Sequence, residues 1–198
     1  VIVLAVIVGF FLASWITDSS IALSPLLVLF LMVGLGTVGF IDDFIKTHKQ
    51  RSLGLNGWWK IVGQVVIATA FALLSISFPD SNGLTPASTH VSIVRDTGLD
   101  FLALGKVLGI VLFCVWIILI VTATTNAVNL ADGLDGLASG SSIFAIGAFV
   151  IINFWQFNQS CFSKTIDADV LYKCYEVRDP LDLAIISATI VGALIGFL

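Results

Sequence analysis

Six apolar runs, each long enough or nearly long enough to cross about 30 Å of hydrocarbon, dominate this sequence: Val1 to Ile16, Leu26 to Ile41, Trp58 to Phe78, Phe101 to Ala123, Leu137 to Phe157 and Leu181 to Leu198. A backbone in lipid has to satisfy its own hydrogen bonds, and none of the runs alternates strictly between polar and apolar residues, so each is expected to be a helix. The expected fold is all-α: a single polytopic helical membrane domain over residues 1–198, with about six transmembrane helices. Composition agrees, because 58% hydrophobic and 11% charged residues with a mean hydropathy of +1.07 carry more apolar surface than a soluble chain of this length could bury. The lipid bilayer is therefore the first partner. A net charge of −4 with no basic stripe removes the phosphate-neutralising attraction that drives nucleic-acid binding, and no nucleic-acid partner is expected.

The connections alternate sides of the membrane. Loops near 44–58 and 124–137 are expected on one face, and loops near 79–100 and 158–180 on the other. Lys46, Lys49, Arg51 and Lys60 crowd the first face, whereas Arg95, Lys106, Lys164, Lys173 and Arg178 are spread over the second, which points to the first as cytoplasmic. Trp58 and Trp59 stand where an interfacial anchor belongs, and Pro25 suits the first turn of a helix. His90 to Val94 reads as a short strand within a turn-rich loop. Cys114 lies in an apolar run as a packing residue. Cys161 and Cys174 share one polar loop, where a disulfide can form if that loop faces an oxidising compartment, and free thiols explain the pair equally well. The first run has no basic leader and no small-residue cleavage pattern, so it does not read as a signal peptide. The chain opens and closes inside apolar runs and carries no initiator Met, and it is expected to be a fragment cut at both ends.

Gly34-Leu35-Gly36-Thr37-Val38-Gly39 has the spacing of a dinucleotide fingerprint but lies within a spanning run, without the strand that such a fingerprint needs. Close packing of helices through small residues explains it better. The same reading applies to the pairs Gly105 and Gly109, Gly136 and Gly140, and Gly192 and Gly196.

Two polar segments resist such explanations. Asp42 and Asp43 are adjacent acids at the end of an apolar helix, and each would cost roughly 2.5–3.5 kcal/mol at mid-membrane. A cation is expected beside them, and Lys46, one helical turn on, completes a small polar pocket. In the segment Thr124 to Gly136, Asn126, Asn129, Asp132 and Asp135 recur at every third position. Gly133 and Gly136 suggest that the helix breaks there and turns these groups inward. Broken helices at membrane depth are tolerated where they line a cavity. Together the segments supply carboxylates, carboxamides and lysines at one face. That oxygen-rich set suits Mg²⁺, which takes few carboxylates along with substrate phosphate, and does not suit zinc. Mg²⁺ beside lysines is an arrangement for phosphoryl chemistry. His48, next to Lys46 and Lys49, is expected as an interfacial residue within reach of an anionic ligand.

At these residues the sequence resembles the polyprenyl-phosphate N-acetylhexosamine-1-phosphate transferases. Gly39-Phe40-Ile41-Asp42-Asp43-Phe44-Ile45-Lys46 is similar to their Asp-Asp-x-x-Lys motif. The stretch Asn126-Ala127-Val128-Asn129-Leu130-Ala131-Asp132-Gly133-Leu134-Asp135-Gly136-Leu137-Ala138 resembles most the branch that uses UDP-N-acetylmuramoyl-pentapeptide, in which Thr is common where Ala131 stands. Gly54-Leu55 and Trp58-Trp59-Lys60-Ile61-Val62-Gly63-Gln64 are supporting matches. The resemblance implies a multi-pass enzyme of the bacterial cytoplasmic membrane, with its active site on the cytoplasmic face. It would move the phospho-sugar from that donor to undecaprenyl phosphate, form lipid I for peptidoglycan synthesis, release UMP and require Mg²⁺. It also admits a homodimer.

Carried onto this chain, the resemblance makes Asp42 the base that deprotonates the lipid phosphate, or the group that positions it, and Asp43 a holder of the metal or diphosphate. It makes Asn129 a metal ligand, places Asp135 near the uracil and has Asp132 shape the same pocket as a catalytic residue. Asn126 joins the substrate-binding set, and Lys46 and Lys60 would neutralise phosphate charge. The family's later aspartate motif and His-rich loop would follow Leu198, and its first cytoplasmic loop would precede Val1, so the 198 residues alone are expected to be catalytically incomplete. Two rival expectations are a related UDP-N-acetylglucosamine transferase and an ion-coupled transporter. The second would spread acids through the bilayer rather than cluster them at one face.

Overall fold

The computed structural model describes residues 1–49, 54–92, 95–131, 136–162 and 173–198. Six apolar helices follow in order among the described residues: α1 (Ile2–Ile16), α2 (Leu23–Lys49), α3 (Gly57–Ser75), α4 (Lys106–Ala131), α5 (Leu137–Asn158) and α6 (Pro180–Ile195). Among the described residues α2, α3, α4 and α5 are long and apolar enough to cross a membrane, whereas α1 and α6 fall short of that length. Large apolar side chains such as Phe144, Val107, Val66 and Leu4 lie more than half exposed, as lipid-facing residues do.

The helices run past the apolar runs that announce them. Helix α2 continues through Phe44 to Lys49, where a loop is expected from about residue 44, and α4 continues through the polar stretch from Thr124 to Ala131. At 27 residues α2 is about 40 Å long, so it outreaches the hydrocarbon. Asp42 lies about 29 Å along it from Leu23, and Asn126 about 30 Å along α4 from Lys106. Both polar segments therefore begin one hydrocarbon thickness from the opposite ends of their helices.

Glycines shape the crossing of α2 and α3. A Cβ on Gly34 of α2 would meet Ile67 of α3 at 2.8 Å, and one on Gly63 of α3 would meet Val38 of α2 at 2.9 Å, so each helix seats a branched side chain in the other's gap. Gly36 similarly faces Val3 of α1, and Gly9 of α1 faces Thr189 of α6. The other glycine pairs do not fulfil the packing expectation. Gly140 and Gly192 have nothing within 4 Å of a Cβ position, and Gly109 receives the backbone of Phe101 and Leu102 from a short 3₁₀ turn rather than another helix. Spacing alone shows which residues share a helix face, not what that face meets. Helix α6 packs on α5, α1 and α2, and α3 on α2 and α4. Val6, Phe10, Leu29 and Ile186 form the buried core between α1, α2 and α6.

One end of the bundle is tied together by polar contacts. The turn-rich loop holds an antiparallel pair, β1 (His90–Ser92) and β2 (Asp96–Asp100), where one short strand is expected. Arg95 donates to the carbonyls of Lys173 and Cys174 and stacks 4.4 Å from the Tyr175 ring centroid. Cys161 and Cys174 form a disulfide with their Cα atoms 4.9 Å apart. Asp179 accepts from Ser24 Oγ at 2.6 Å, joining the N-termini of α6 and α2, while Arg178 donates to the Phe78 and Leu84 carbonyls beyond the end of α3. With the start of α2 and the end of α3 gathered here, the C-terminus of α2, the N-terminus of α3 and the C-terminus of α4 lie at the opposite end.

Candidate active site

At that opposite end the Asp42 carboxylate is the centre of a four-residue cluster. Asp42 is only 6% exposed, and a buried carboxylate is costly unless it is paired and hydrogen-bonded. Its Oδ2 lies 2.7 Å from both Lys46 Nζ and Lys60 Nζ, and its Oδ1 accepts the backbone N–H of Leu55 at 2.6 Å. The local sequence explains each partner. Lys46 follows Asp42 by four residues on one helix, the acid-first order that favours an intrahelical pair. Lys60 sits in the first turn of α3, where the positive end of the helix dipole disfavours a cation, and Asp42 offsets that cost across the helix–helix gap. Leu55 can approach because Gly54 precedes it: a Cβ there would collide with Asp42 Oδ1 and lie 2.7 Å from Lys46 Cε.

Asp43 is the opposite kind of acid. Its side chain is 77% exposed, and among the described residues its one ion pair is with Lys46 Nζ, at 3.2 Å on Oδ1. Both lysine side chains remain more than a third exposed, and after these carboxylate contacts Lys46 has one of its three N–H donors left and Lys60 two. The four side chains carry two negative and two positive charges. The cluster is thus neutral, with Asp42 sequestered, Asp43 open and two ammoniums at the rim. Such a rim can receive phosphate oxygens, and the open carboxylate can accept a proton or hold a hard cation.

Asn126 and Asn129 occupy the last two turns of α4, both exposed, at the same end of the bundle. Asn126 Nδ2 donates to the Thr122 carbonyl at 2.7 Å along its own helix, and among the described residues no hydrogen bond links either asparagine to the Asp42 cluster. Helix α4 is described as far as Ala131 and α5 starts at Leu137, with Gly136 in the left-handed region at φ 76°; Gly133, the other glycine at which a break is expected, lies outside the described residues. Asp132 and Asp135 lie outside the described residues. His48 does not face the cluster, because its ring stacks on Phe44, which stacks on Phe40, as an interfacial aromatic ladder.

Among the described residues no group of three or more His, Cys, Asp or Glu side chains is arranged to hold a metal ion. The donors present nevertheless fit Mg²⁺, which binds through one or two protein oxygens and fills the rest of its octahedron with water and phosphate. Asp43, open and largely unengaged, is the stronger ligand candidate; Asn129 stands at the same end of the bundle on α4, which packs on α3 and α5. Sequence reasoning does not single out the Leu55 N–H or give Gly54 a role. A glycine 12 residues beyond an acid becomes informative only once the chain folds back on that acid.

Comparison with known proteins supplies the family. Glycosyl transferase family 4 matches residues 25–198. A phospho-N-acetylmuramoyl-pentapeptide-transferase of Clavibacter michiganensis subsp. michiganensis is 60% identical over 204 residues, covering 100% of this chain and 55% of the relative. Relatives of the same name from Beutenbergia cavernae and from Streptomyces griseus subsp. griseus are 52% and 51% identical, covering 100% and 99% of this chain and 54% and 53% of their own lengths. The chain spans about half the length of the curated relatives it matches. A family match over nearly the whole chain, joined to relatives that share more than half its residues, makes this chain a member of glycosyl transferase family 4.

Proposed function

We propose that this chain is part of an enzyme that transfers phospho-N-acetylmuramoyl-pentapeptide from its UDP-linked donor to undecaprenyl phosphate, forming lipid I and releasing UMP. The observation that carries the reading is the Asp42 cluster: one sequestered carboxylate holding two lysine ammoniums at the boundary of the hydrocarbon, beside an open acid. A donor from water and an acceptor from lipid can meet only at such a boundary. The names of the relatives favour the muramoyl-pentapeptide donor over UDP-N-acetylglucosamine, and the lack of Asp and Glu in the middle turns of the described helices argues against an ion pathway.

In this mechanism a lipid phosphate oxygen attacks the β-phosphorus of the donor. The new P–O bond forms as the bond to UMP breaks, and UMP departs with the electron pair. Lys46 and Lys60 would hold the non-bridging oxygens and balance their charge, which is where most of the catalytic effect in phosphoryl transfer resides. With three donors already on its carboxylate, Asp42 is better suited to positioning than to taking a proton, whereas Asp43 has an oxygen free to accept the proton of the lipid phosphate. Asn129, joined by Asp43 where that acid does not act as the base, would hold Mg²⁺, which would supply charge neutralisation at the diphosphate. Asn126, Asp132 and Asp135 complete the proposed pocket, with Asp135 toward the uracil. The disulfide at the far end belongs in an oxidising compartment, which favours placing the Asp42 end on the cytoplasmic side.

The test is UMP release by the purified full-length enzyme supplied with the muramoyl-pentapeptide nucleotide, undecaprenyl phosphate and Mg²⁺. Absence of UMP from folded enzyme would overturn the reading, and equal turnover of UDP-N-acetylglucosamine would overturn the donor assignment.

A further inference from the structure

We propose that Gly54 and the Leu55 amide are positioning groups: they hold Asp42 so that Lys46 and Lys60 form a preset clamp for a diphosphate. The inference rests on the transferase reading for the identity of the ligand, but its geometric core stands apart from it.

Asp42 Oδ2 alone holds both ammoniums, at 2.7 Å each. A carboxylate pivots about its Cβ–Cγ bond, and any swing of Oδ2 would move both lysines with it. The Leu55 N–H, 2.6 Å from Oδ1, blocks that swing by fixing the other oxygen. Of the groups on Asp42 it is the one that comes from the backbone, with no side-chain rotamers to lose, and it bonds an ionised acceptor, the stronger class of hydrogen bond. Gly54 is what lets the backbone come so close. A Cβ there would strike Asp42 Oδ1 and would lie 2.7 Å from Lys46 Cε and 2.9 Å from Lys46 Cγ. The lysine could bend away, but the carboxylate is pinned by its other two partners, so the added methyl must break the Leu55 contact or displace Asp42. In either case the two ammoniums lose their common anchor. Preorganised charges act without reorganising at the moment of reaction, and this small contact would preserve that property.

The experiment uses full-length enzyme in two arms. The first is a double-mutant cycle on thermal unfolding with Gly54→Ala and Asp42→Ala. Gly54→Ala should destabilise the Asp42 protein and be nearly neutral in the Asp42→Ala background. Failure to fold only when Asp42 is present is the extreme form of the same coupling. Additive effects would overturn the contact. The second arm measures binding of UDP and of uridine by calorimetry. Gly54→Ala should weaken UDP about tenfold, the effect of losing one charge-assisted interaction, and leave uridine within about twofold. Equal loss of both ligands, or none, would overturn the clamp. Wild-type enzyme that bound no UDP would sink the transferase reading, and with it the ligand assigned to the clamp. The unfolding cycle would still decide whether Gly54 positions Asp42.

Discussion

Lys60 Nζ lies 2.7 Å from Asp42 Oδ2, which joins the first turn of α3 to the last turns of α2. The pair is unequal. The lysine side chain is 37% exposed and can be hydrated if its partner is lost, whereas the aspartate side chain is 9% exposed and cannot. Lys60→Met should therefore cost only about 1 kcal/mol of stability, because Lys46 and the Leu55 N–H still satisfy the carboxylate. Its effect on turnover should be larger, a loss of about ten- to a hundredfold in kcat/KM if the ammonium contacts the diphosphate in the transition state. Unfolding midpoints and UMP release from the same preparations separate the two effects. Stability loss without loss of turnover would make Lys60 purely structural.

The interlocked glycines of α2 and α3 give a second prediction. Gly63→Val would press against Val38, already 2.9 Å from a Cβ position, and should destabilise by about 1–3 kcal/mol through overpacking. Gly39→Ala, with nothing within 4 Å, should be neutral or slightly stabilising, since alanine is the better helix former. Thermal unfolding in detergent of the two variants beside wild type checks the contrast. A similar shift in both would show that the seam between α2 and α3 is looser than the packing implies.

How far the sequence discloses this molecule depends on the range of the physics. Lipid requires long apolar helices, so α2, α3, α4 and α5 are each legible as elements. Their extensions are not, because the apolar signal ends at Ile41 while the helix is sustained by local pairs: Lys46 with Asp42 and Asp43, and Thr47 Oγ1 with the Asp43 carbonyl. The grouping of Asp42, Asp43 and Lys46 is readable because it lies within one helical turn. Lys60 depends on a second helix, and the Leu55 amide on the chain folding back. The latch from Ser24 to Asp179 spans 155 residues and leaves no local trace. Gly192 and Gly34 look alike in sequence, and only the fold shows that one meets open space and the other Ile67.

Asp100 offers a pH-dependent prediction away from the membrane spans. Its carboxylate accepts Thr89 Oγ1 at 2.8 Å and the Leu102 N–H at 3.0 Å, capping the 3₁₀ turn, and these bonds lower its pKa below the ordinary 3.8. A group whose folded pKa is depressed stabilises the fold above its unfolded value and loses that contribution as pH falls through the folded one. Protection of the Leu102 amide from hydrogen exchange, corrected for intrinsic rate, should therefore hold at neutral pH and decline below about pH 3.8. Asp100→Asn keeps an acceptor but removes the titration, so its Leu102 protection should be independent of pH. An equally steep acid decline in that variant would assign the effect to another group.

The last prediction concerns sidedness. Cys161 and Cys174 are bonded at the end of the bundle where Ser24 meets Asp179, and the exposed Thr47 lies at the Asp42 end. If the disulfide end faces the oxidising compartment, a membrane-impermeant maleimide added to whole cells should label the cysteine pair only after reduction. It should leave Thr47→Cys unlabelled until the membrane is opened. Cys114, partly buried in α4, is removed as Cys114→Ser to keep the readout clean. Replacing Cys161 by serine should also lower stability by about 3 kcal/mol, the scale for a cross-link of this loop length. Labelling of Thr47→Cys from outside intact cells would reverse the orientation. It would place the Asp42 cluster on the side of the membrane that a cytoplasmic nucleotide-linked donor cannot reach, so the transferase reading would fall with it.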